Sequence, residues 1–406
     1  MRLATAGSLP GVRVLLFTGK GGVGKTTASA ATATLAANRG LKTLVVSTDP
    51  AHSLADAFGV APGAEPTEID TGLYGQQIDA QRRFEQTWRE VQDYLVLLLD
   101  KAGVDPLEAE ELTVLPGAEE VLALLEVRHQ IDAGNWDLVV VDCAPTAETL
   151  RLLALPEALN WYMDRVFPME RRVVRTLRPV LNRVTGVPMP HERVFDAVER
   201  LHRELGEVHA VLTDPARTSV RLVLTPEAVV VAEARRTLTS LSLYGYRVDS
   251  VIANRVFPEG GDDAWRAGWV AAQRAILEEV DASFAPLPVF RAPYRAGEPV
   301  GISELAAFAA DAYGDADPLA LPPAAESMTV ERTDEGYRLV LALPLADRRD
   351  LDLVRKGDEL VVTVGSHRRL LALPSVLRRC NVTGAELVAG RLHVDFVPDP
   401  DLWMSP

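Results

Sequence analysis

Two lysines lie five residues apart in a glycine-rich segment near the start of the chain, Lys20 and Lys25. The segment from Gly19 to Thr26, GKGGVGKT, matches the GxxxxGK[ST] pattern of a phosphate-binding loop. Glycines let backbone N–H groups curl around phosphate oxygens, and the dipole of a following helix attracts the anion. We therefore expect Lys25 to reach the β- and γ-phosphates of a nucleotide and the Thr26 hydroxyl to ligate Mg²⁺.

The surroundings of this loop are those that a phosphate site requires. An apolar run from Val12 to Phe17 precedes it and predicts a buried parallel strand, and Thr26 to Asn38 predicts a helix. Gly40 ends the helix, and Leu41 to Ser47 predicts the next strand, which completes a βαβ unit. A chance glycine-rich turn would not need this context. The loop residues expected to contact the nucleotide are Gly19, Lys20, Gly21, Gly22, Val23, Gly24, Lys25, Thr26 and Thr27.

Two aspartates follow predicted strands. Asp49 comes just after the strand Leu41 to Ser47, and Asp142 ends the apolar strand Leu138 to Val141. Ligands bind at the carboxyl ends of parallel strands, where Asp49 can orient the water that attacks the γ-phosphate. Asp142 can act on Mg²⁺ there, directly or through water. The alternatives are an Asx turn at Asp49, which precedes Pro50, and a helix cap at Asp142.

Alternating strands and helices predict an α/β fold of the P-loop type, a mostly parallel sheet flanked by helices. Further strands are predicted at Val208 to Thr213, Val220 to Leu224 and Val248 to Ala253, and helices at 117–133, 226–241 and 263–280. Residues from about 74 to 205 break this alternation because they are largely helical. We interpret them as a helical insert within a first domain of residues 1–313.

The chain changes character near Tyr313. Residues 314–326 are rich in Pro, Ala and Asp, a composition typical of a linker. Beyond them, residues 327–400 alternate apolar and polar side chains between Gly and Asp turns. This pattern predicts a second domain, a small all-β sandwich.

The composition narrows the classes of function. The 406 residues carry a net charge of −15, which argues against nucleic acid as a partner. The 2 cysteines, Cys143 and Cys380, form no CxxC pair, so no zinc site is predicted. The chain shows neither the apolar core of a signal peptide nor the ~20 apolar residues of a membrane span. We therefore expect a cytoplasmic protein.

The second lysine, Lys20, gives the loop the form KGGxGKT. In this form the chain resembles the ATPases that include MinD, the nitrogenase iron protein, the arsenite-pump ATPase ArsA and the guided-entry (GET) ATPases. The resemblance implies ATP and Mg²⁺ as cofactors and catalytic roles for Lys25 and Lys20. It also implies a homodimer in which Lys20 reaches the partner's nucleotide. Without the resemblance, Lys20 would be an exposed loop lysine.

The switch segments make the resemblance to the ArsA and GET ATPases specific. The stretch from Ser47 to Phe58 looks like their switch I, DPAHSLxDxF, which implies that Asp49 is the water-orienting catalytic carboxylate. Residues 142–151 resemble their switch II, DTAPTGHTLR, except that Cys143 replaces Thr and Ala-Glu148 replaces Gly-His. The Glu148 departure bears on how the switch moves.

Two shorter segments resemble nucleotide-contacting positions of the same ATPases, and the resemblance covers residues 11–310. Thr225-Pro226-Glu227 would place Glu227 near the nucleotide, and Asn254-Arg255 would place the Asn254 amide on the adenine. From the residues alone, Glu227 could simply be a negative charge at a helix amino terminus.

Members of this family differ in what ATP drives. Arsenite pumps bind the metalloid through cysteines, and tail-anchor-targeting members use a hydrophobic groove and a zinc-binding CxxC pair. This sequence has neither cysteine set. Its apolar stripe from Val166 to Val184 would line a client groove or form the packed face of a helix. We expect a nucleotide-gated homodimer that binds or targets hydrophobic protein or membrane-protein segments; the alternatives are an arsenite-efflux ATPase and a MinD-like positioning ATPase.

The carboxyl-terminal module resembles the α-crystallin domain of small heat-shock proteins over residues 326–398. The stretch from Ala385 to Val394 is similar to their Ax₄GxL element, in which Gly390 would make the turn into an alternating strand. The I-x-I tail used for small heat-shock assembly is not seen after Pro398, so large oligomers are not expected.

Overall fold

The structure is a computed structural model that describes residues 11–48, 53–78, 118–143, 192–260, 263–320 and 327–402. The chain divides into two compact units. The larger unit contains a mostly parallel sheet and the carboxyl-terminal β module, and the smaller one includes residues 118–132 and 192–211. No helix within these described ranges is long and apolar enough to cross a bilayer.

A sheet of eight described strands organises the larger unit. The strands are β1 (Arg13–Thr18), β2 (Thr43–Ser47), β3 (Thr67–Asp70), β4 (Leu73–Gln77), β5 (Leu138–Asp142), β6 (Thr218–Leu224), β7 (Val248–Val256) and β8 (Val289–Pro293). Their order is β3-β4-β2-β5-β1-β6-β7-β8, and only β3 with β4 is antiparallel. The apolar runs read as buried parallel strands are confirmed, because β1, β2, β5 and β6 are buried along their whole length.

Helices accompany these strands. They are α1 (Lys25–Asn38), α2 (Ser53–Phe58), α3 (Ala118–Asp132), α4 (Glu192–Leu212), α5 (Ala228–Leu243), α6 (Ala264–Phe284) and α7 (Ile302–Tyr313). The predicted helices beginning near residues 26, 117, 226 and 263 are confirmed within a few residues. At α6 the Asp263 carboxylate caps the first turn by accepting from the Trp265 N–H at 3.0 Å.

One predicted strand is wrong, because Val208 to Leu212 forms the last turns of α4. The buried residues Leu205, Val208 and Leu212 follow one another at spacings of three and four, which places them on one face of a helix. A short apolar run does not distinguish strand from helix without this longer period. In the smaller unit, Arg128 of α3 pairs with Glu207 of α4 at 2.5 Å.

The predicted helical insert, residues 74–205, is only partly described. Its first residues belong to β4, which pairs with β2 in the parallel sheet. Most of the remainder, including the apolar stripe from Val166 to Val184, lies outside the described residues. The division into residues 1–313, 314–326 and 327–400 therefore stays a prediction.

A buried ionic network ties three strands of the sheet together. The Asp249 carboxylate of β7 lies 3.4 Å from Arg13 of β1 and 3.2 Å from Arg221 of β6. Ser219 of β6 donates to Asp249 at 2.5 Å and accepts from Arg13 at 2.6 Å. Burial lowers the pKa of Arg13 to about 10 against the opposing charge of Asp249. Burial is the largest effect on Arg221 and acts to lower its pKa, but the charges of Asp249 and Tyr313 and the hydrogen bonds to both together outweigh it, so the pKa is raised.

The carboxyl-terminal module is the predicted all-β sandwich. Its strands are β9 (Met328–Arg332), β10 (Tyr337–Ala342), β11 (Leu351–Lys356), β12 (Glu359–Val364), β13 (His367–Ala372), β14 (Cys380–Val388) and β15 (Arg391–Pro398), with the short helix α8 (Ser375–Arg378). They form one sheet in the order β14-β15-β10-β9 and another in the order β11-β12-β13. The turn predicted at Gly390 is confirmed: Ala389 and Gly390 have φ of 49° and 72° between the paired residues Val388 and Arg391.

The hydrophobic core of the sandwich includes a residue that precedes the predicted linker. Leu243, the last residue of α5, is fully buried in the same cluster as Leu341 and Phe396. Polar contacts surround it, since the Thr239 hydroxyl donates to the Pro344 carbonyl at 2.7 Å and Arg369 donates to the Leu243 carbonyl. The carboxyl-terminal end of α5 is thus part of the module's packing.

A contact within the predicted linker determines where the chain can be shortened, because Arg221 of β6 donates to the Pro318 carbonyl. A chain ending at Ala320 should fold, bind ATP and hydrolyse it, because the loop and aspartate motifs precede that point. A chain ending at Asp317 should be less stable by about 1–3 kcal/mol, since buried Arg221 loses the Pro318 carbonyl to which it donates. Urea unfolding and ATPase assays of both would check this. Loss of ATP binding in the longer chain would show that the module belongs to the catalytic core.

Candidate functional site

The parallel register brings the predicted site residues to one edge of the sheet. Phe17 of β1 and Ser47 of β2 both align with Asp142 of β5, so the three strands end side by side. Thr48, the residue directly after β2, donates its N–H to the Asp142 carbonyl at 3.0 Å. Asp49 follows Thr48 but lies outside the described residues, as do residues 144–150 of the switch II segment.

The phosphate-binding loop has the backbone that the motif predicts. Gly22 and Gly24 have φ of 81° and 92°, in the left-handed region that favours glycine. A Cβ at Gly19 would collide with the Val223 carbonyl, whereas one at Gly21 or Gly22 would meet open space. The loop is therefore packed against β6 on one side and open on the other. This open concave face, next to the first turn of α1, suits a phosphate.

The two predicted metal ligands lie in direct contact. The Thr26 hydroxyl donates to an Asp142 carboxylate oxygen at 2.7 Å, and it lies 3.0 Å from the Ser53 hydroxyl. Hydroxyl and carboxylate oxygens are the donors that Mg²⁺ prefers, so this cluster fits the predicted ion. Mg²⁺ held there would neutralise charge on the β- and γ-phosphates. Ser53, the first residue of α2, was not predicted as a ligand.

The two loop lysines point to different surroundings. Lys25 is buried and donates from Nζ to the Lys20 carbonyl at 3.3 Å, across the mouth of the loop. The Lys20 side chain is 42% exposed, and its Nζ lies 4.0 Å from a Glu233 carboxylate oxygen on α5. A pair this exposed contributes little to stability, so Lys20 can exchange it for another anion.

The two shorter predicted contacts differ in position. Asn254 of β7 is buried, and its Nδ2 donates to the Val23 carbonyl of the loop at 2.9 Å. Glu227 follows β6, is exposed, and accepts from the Thr225 hydroxyl at 3.2 Å. The described structure therefore joins Asn254 to the phosphate loop itself. Glu227 lies just before α5, and its contact with the nucleotide stays a prediction.

A cavity of about 520 Å³ opens beside the loop. Gly24, Thr26 and Thr27 line one side of it, and the segment from Pro293 to Val300, which follows β8, lines the other. In that segment the Tyr294 ring stacks on Phe257 with ring centres 5.0 Å apart. Tyr294 of this pair lines the cavity, and an aromatic face beside a phosphate loop is suited to a nucleotide base.

Sequence reasoning did not identify this second wall. Its signal was present, since PYRAGEPVG is a Pro- and Gly-rich loop directly after a strand, at the edge where α/β sheets bind ligands. Strand β8 is short and was not predicted. The loop could therefore not be placed at the carboxyl end of a strand from the sequence alone.

The Cys143 thiol, next to Asp142, is protonated and unreactive near neutral pH. Burial and the neighbouring Asp142 charge raise the pKa of Cys143 to about 12, although Lys25 opposes this. The thiolate that would attack or bind a soft metal is therefore suppressed near neutral pH. Cys143 is buried next to Asp142, at the position where the switch II pattern that the sequence resembles has Thr.

Two family models match consecutive parts of the chain. The model of the anion-transporting ATPases, of the ArsA type, covers residues 12–314. The chain belongs to this ATPase family. The model of the HSP20-like domain found in ArsA covers residues 334–396, within the described sandwich. The predicted fold class, the ATPase activity and the heat-shock-like module are thereby confirmed.

Two relatives of this ATPase match nearly the whole chain, and a third matches less of it. A putative arsenical pump-driving ATPase of Chlorobaculum tepidum is 38% identical over 95% of this chain and 96% of its own length. An uncharacterized protein of Streptomyces coelicolor is 42% identical over 97% of this chain and 99% of its own length. An ATPase ASNA1 homolog of Babesia bovis is 30% identical over 61% of this chain and 68% of its own length.

The assignment of Asp142 as a Mg²⁺ ligand can be tested by substitution. Asp142→Asn should raise the Mg²⁺ concentration for half-maximal ATPase activity by about 10- to 100-fold, because the Thr26 cluster loses its charge. The measurement is ATP turnover at saturating ATP with Mg²⁺ titrated. Asp137→Asn is the control, because Asp137 lies at the opposite end of β5 and accepts from the Lys42 N–H there. An unchanged Mg²⁺ requirement in Asp142→Asn would contradict the assignment.

Proposed function

We propose that this ATPase is a Mg²⁺-dependent, nucleotide-gated homodimer that binds or targets hydrophobic protein segments in the cytoplasm. The observation that carries the homodimer is the position of Lys20. Its ammonium group extends from the mouth of the loop towards Glu233, while Lys25 occupies the loop interior. The exposure of Lys20 beside the proposed phosphate site supports a role at the nucleotide of a second molecule.

The proposed chemistry divides among residues of the loop and two strand ends. The loop N–H groups and Lys25 hold the phosphates, and Thr26 with Asp142 holds Mg²⁺. Asp49 orients the attacking water. Support for Asp49 comes from Thr48, which is fixed against Asp142 by its N–H at 3.0 Å and its hydroxyl at 3.3 Å. The last described residue before Asp49 therefore lies beside Asp142, one of the two proposed metal ligands.

A mixture of two inactive variants tests the dimer. Lys20→Ala and Asp49→Asn should each hydrolyse ATP slowly alone. If Lys20 acts across the interface, a mixed dimer has one complete site, with Asp49 from one protomer and Lys20 from the other. Random mixing should then restore about a quarter of wild-type turnover, since half of the dimers are mixed and each has one working site. No recovery on mixing, or wild-type turnover by a monomeric Lys20→Ala protein, would contradict the proposal.

The hydrophobic client is proposed on two grounds. The GET-type switch segments belong to ATPases that handle apolar segments, and the HSP20-like match adds a module of chaperone type. A β-sandwich of this kind offers sheet edges that accept extended segments, and the edge strand β9 exposes Met328 and Val330.

The second candidate is arsenical pumping, which the name of the Chlorobaculum tepidum relative favours. Arsenite is bound by soft thiolates, and this chain has 2 cysteines, both buried. Burial raises the pKa of both Cys143 and Cys380, so neither offers a ready thiolate. The described chemistry therefore favours the hydrophobic client over the metalloid.

One assay separates the two candidates. ATP turnover should change on adding a soluble peptide with an apolar helix of ~20 residues, and should not change with arsenite. The peptide should also co-purify with Asp49→Asn in ATP, because that variant retains the nucleotide-bound state. A peptide of the same length with alternating charged residues is the control. Stimulation by arsenite that disappears in Cys143→Ser would favour the pump and contradict the client.

A further inference from the structure

One wall of the cavity beside the phosphate-binding loop is the segment from Pro293 to Val300, the wall segment, which follows β8. Backbone hydrogen bonds fix its two ends. The Tyr294 N–H donates to the Val256 carbonyl of β7 at 2.7 Å, and the Gly301 N–H donates to the Ala57 carbonyl of α2 at 2.9 Å. Most residues between these bonds are exposed, so burial of apolar side chains does little to hold the segment in place.

The Arg295 side chain anchors the wall segment to α7. Its Nη1 donates to a Glu304 carboxylate oxygen at 3.2 Å, and its Nη2 donates to an Asp311 carboxylate oxygen at 2.5 Å. Glu304 and Asp311 are seven positions apart on α7, which places them on one face of the helix, two turns apart. The planar guanidinium group bridges both carboxylates, which the single ammonium group of a lysine would not do.

The two carboxylates that anchor Arg295 line a different cavity. Arg295 itself lines the cavity beside the loop, together with Asn254, the residue that the resemblance assigns to adenine. Glu304 and Asp311 line a second cavity, of about 560 Å³, on the same segment. Their side chains are 59% and 50% exposed, against 20% for Arg295. Pairs this exposed add little to the stability of the whole chain, so their effect falls on the position of the wall segment.

We propose that Arg295 is a positioning residue that holds the wall segment in the form that receives the base of the nucleotide. This inference rests on the proposed nucleotide site and names a residue that shapes the site through Glu304 and Asp311. A wall segment that is ordered before binding does not have to be ordered by the ligand, whereas a released one does. Loss of the anchor therefore weakens a ligand that carries a base and leaves a base-free ligand unaffected.

The test compares ligands with and without a base. The dissociation constants of Mg·ATP and Mg·tripolyphosphate are measured by calorimetry for wild type, Arg295→Ala and the double variant Glu304→Gln/Asp311→Asn. Both variants should weaken Mg·ATP by about 5- to 10-fold and leave Mg·tripolyphosphate unchanged. Arg295→Lys keeps one of the two ion pairs and should lose less affinity for Mg·ATP. Melting temperatures without ligand show that the variants are folded.

Arg291→Ala is the matched control, because Arg291 of β8 pairs with Asp281 of α6 at 2.5 Å and does not line the cavity beside the loop. It should bind both ligands as wild type does, and an equal loss of Mg·ATP in this variant would overturn the proposal. A loss in Arg295→Ala that the double variant does not reproduce would make Arg295 a direct nucleotide contact instead. An equal loss of both ligands in Arg295→Ala would place its effect at the phosphates and contradict the proposal.

Lys25→Ala separates this inference from the proposed site. It should weaken both ligands, because both carry the phosphates that the loop holds. If Lys25→Ala keeps wild-type affinity for tripolyphosphate, the loop is not the phosphate site, and the role of Arg295 fails with it. If Lys25→Ala loses both ligands while Arg295→Ala binds Mg·ATP as wild type does, the site stands and only the role of Arg295 is wrong.

Discussion

The Asp249 carboxylate, buried between the guanidinium groups of Arg13 and Arg221, connects the strands that carry the site. Arg13 begins the strand that ends at the phosphate loop, and Arg221 lies in the strand that ends before Glu227. Asp249 lies near the start of the strand that contains Asn254. Removing one partner from a buried pair costs about 3–5 kcal/mol, because a charge is left uncompensated. The ion cluster therefore fixes the relative position of three neighbouring strands, one of which leads into the phosphate-binding loop.

Hydrogen bonds connect the ion cluster of Arg13, Arg221 and Asp249 to residues outside the sheet. Arg221 donates to the Tyr313 hydroxyl at 3.3 Å, and this hydroxyl lies 2.6 Å from the Thr32 hydroxyl of α1. The helix that begins at the phosphate loop is thus joined through Tyr313 to the last helix before the linker. Pro318 joins it too, by accepting from Arg221. The start of the predicted linker is consequently part of the packed core, which composition alone does not reveal.

Motifs with a fixed local shape could be predicted from the sequence, and contacts between distant segments could not. The loop from Gly19 to Thr27 and the strand before Asp142 have local patterns that determine where they lie in an α/β sheet. Ser53 and the wall from Pro293 to Val300 become site residues only when separate strand ends converge. Val208 shows the same limit for secondary structure, since its assignment needs the buried partner positions Leu205 and Leu212.

The burial of Leu243 in the sandwich core means that this side chain is covered only late in synthesis of the chain. It belongs to the core of the sandwich, yet it is synthesised about 155 residues before β15 is complete at Pro398. At about 5–20 residues per second, the ribosome leaves this apolar helix end without its cover for roughly 10 to 30 s. During that interval Leu243 is without the apolar residues of the sandwich that bury it in the folded chain.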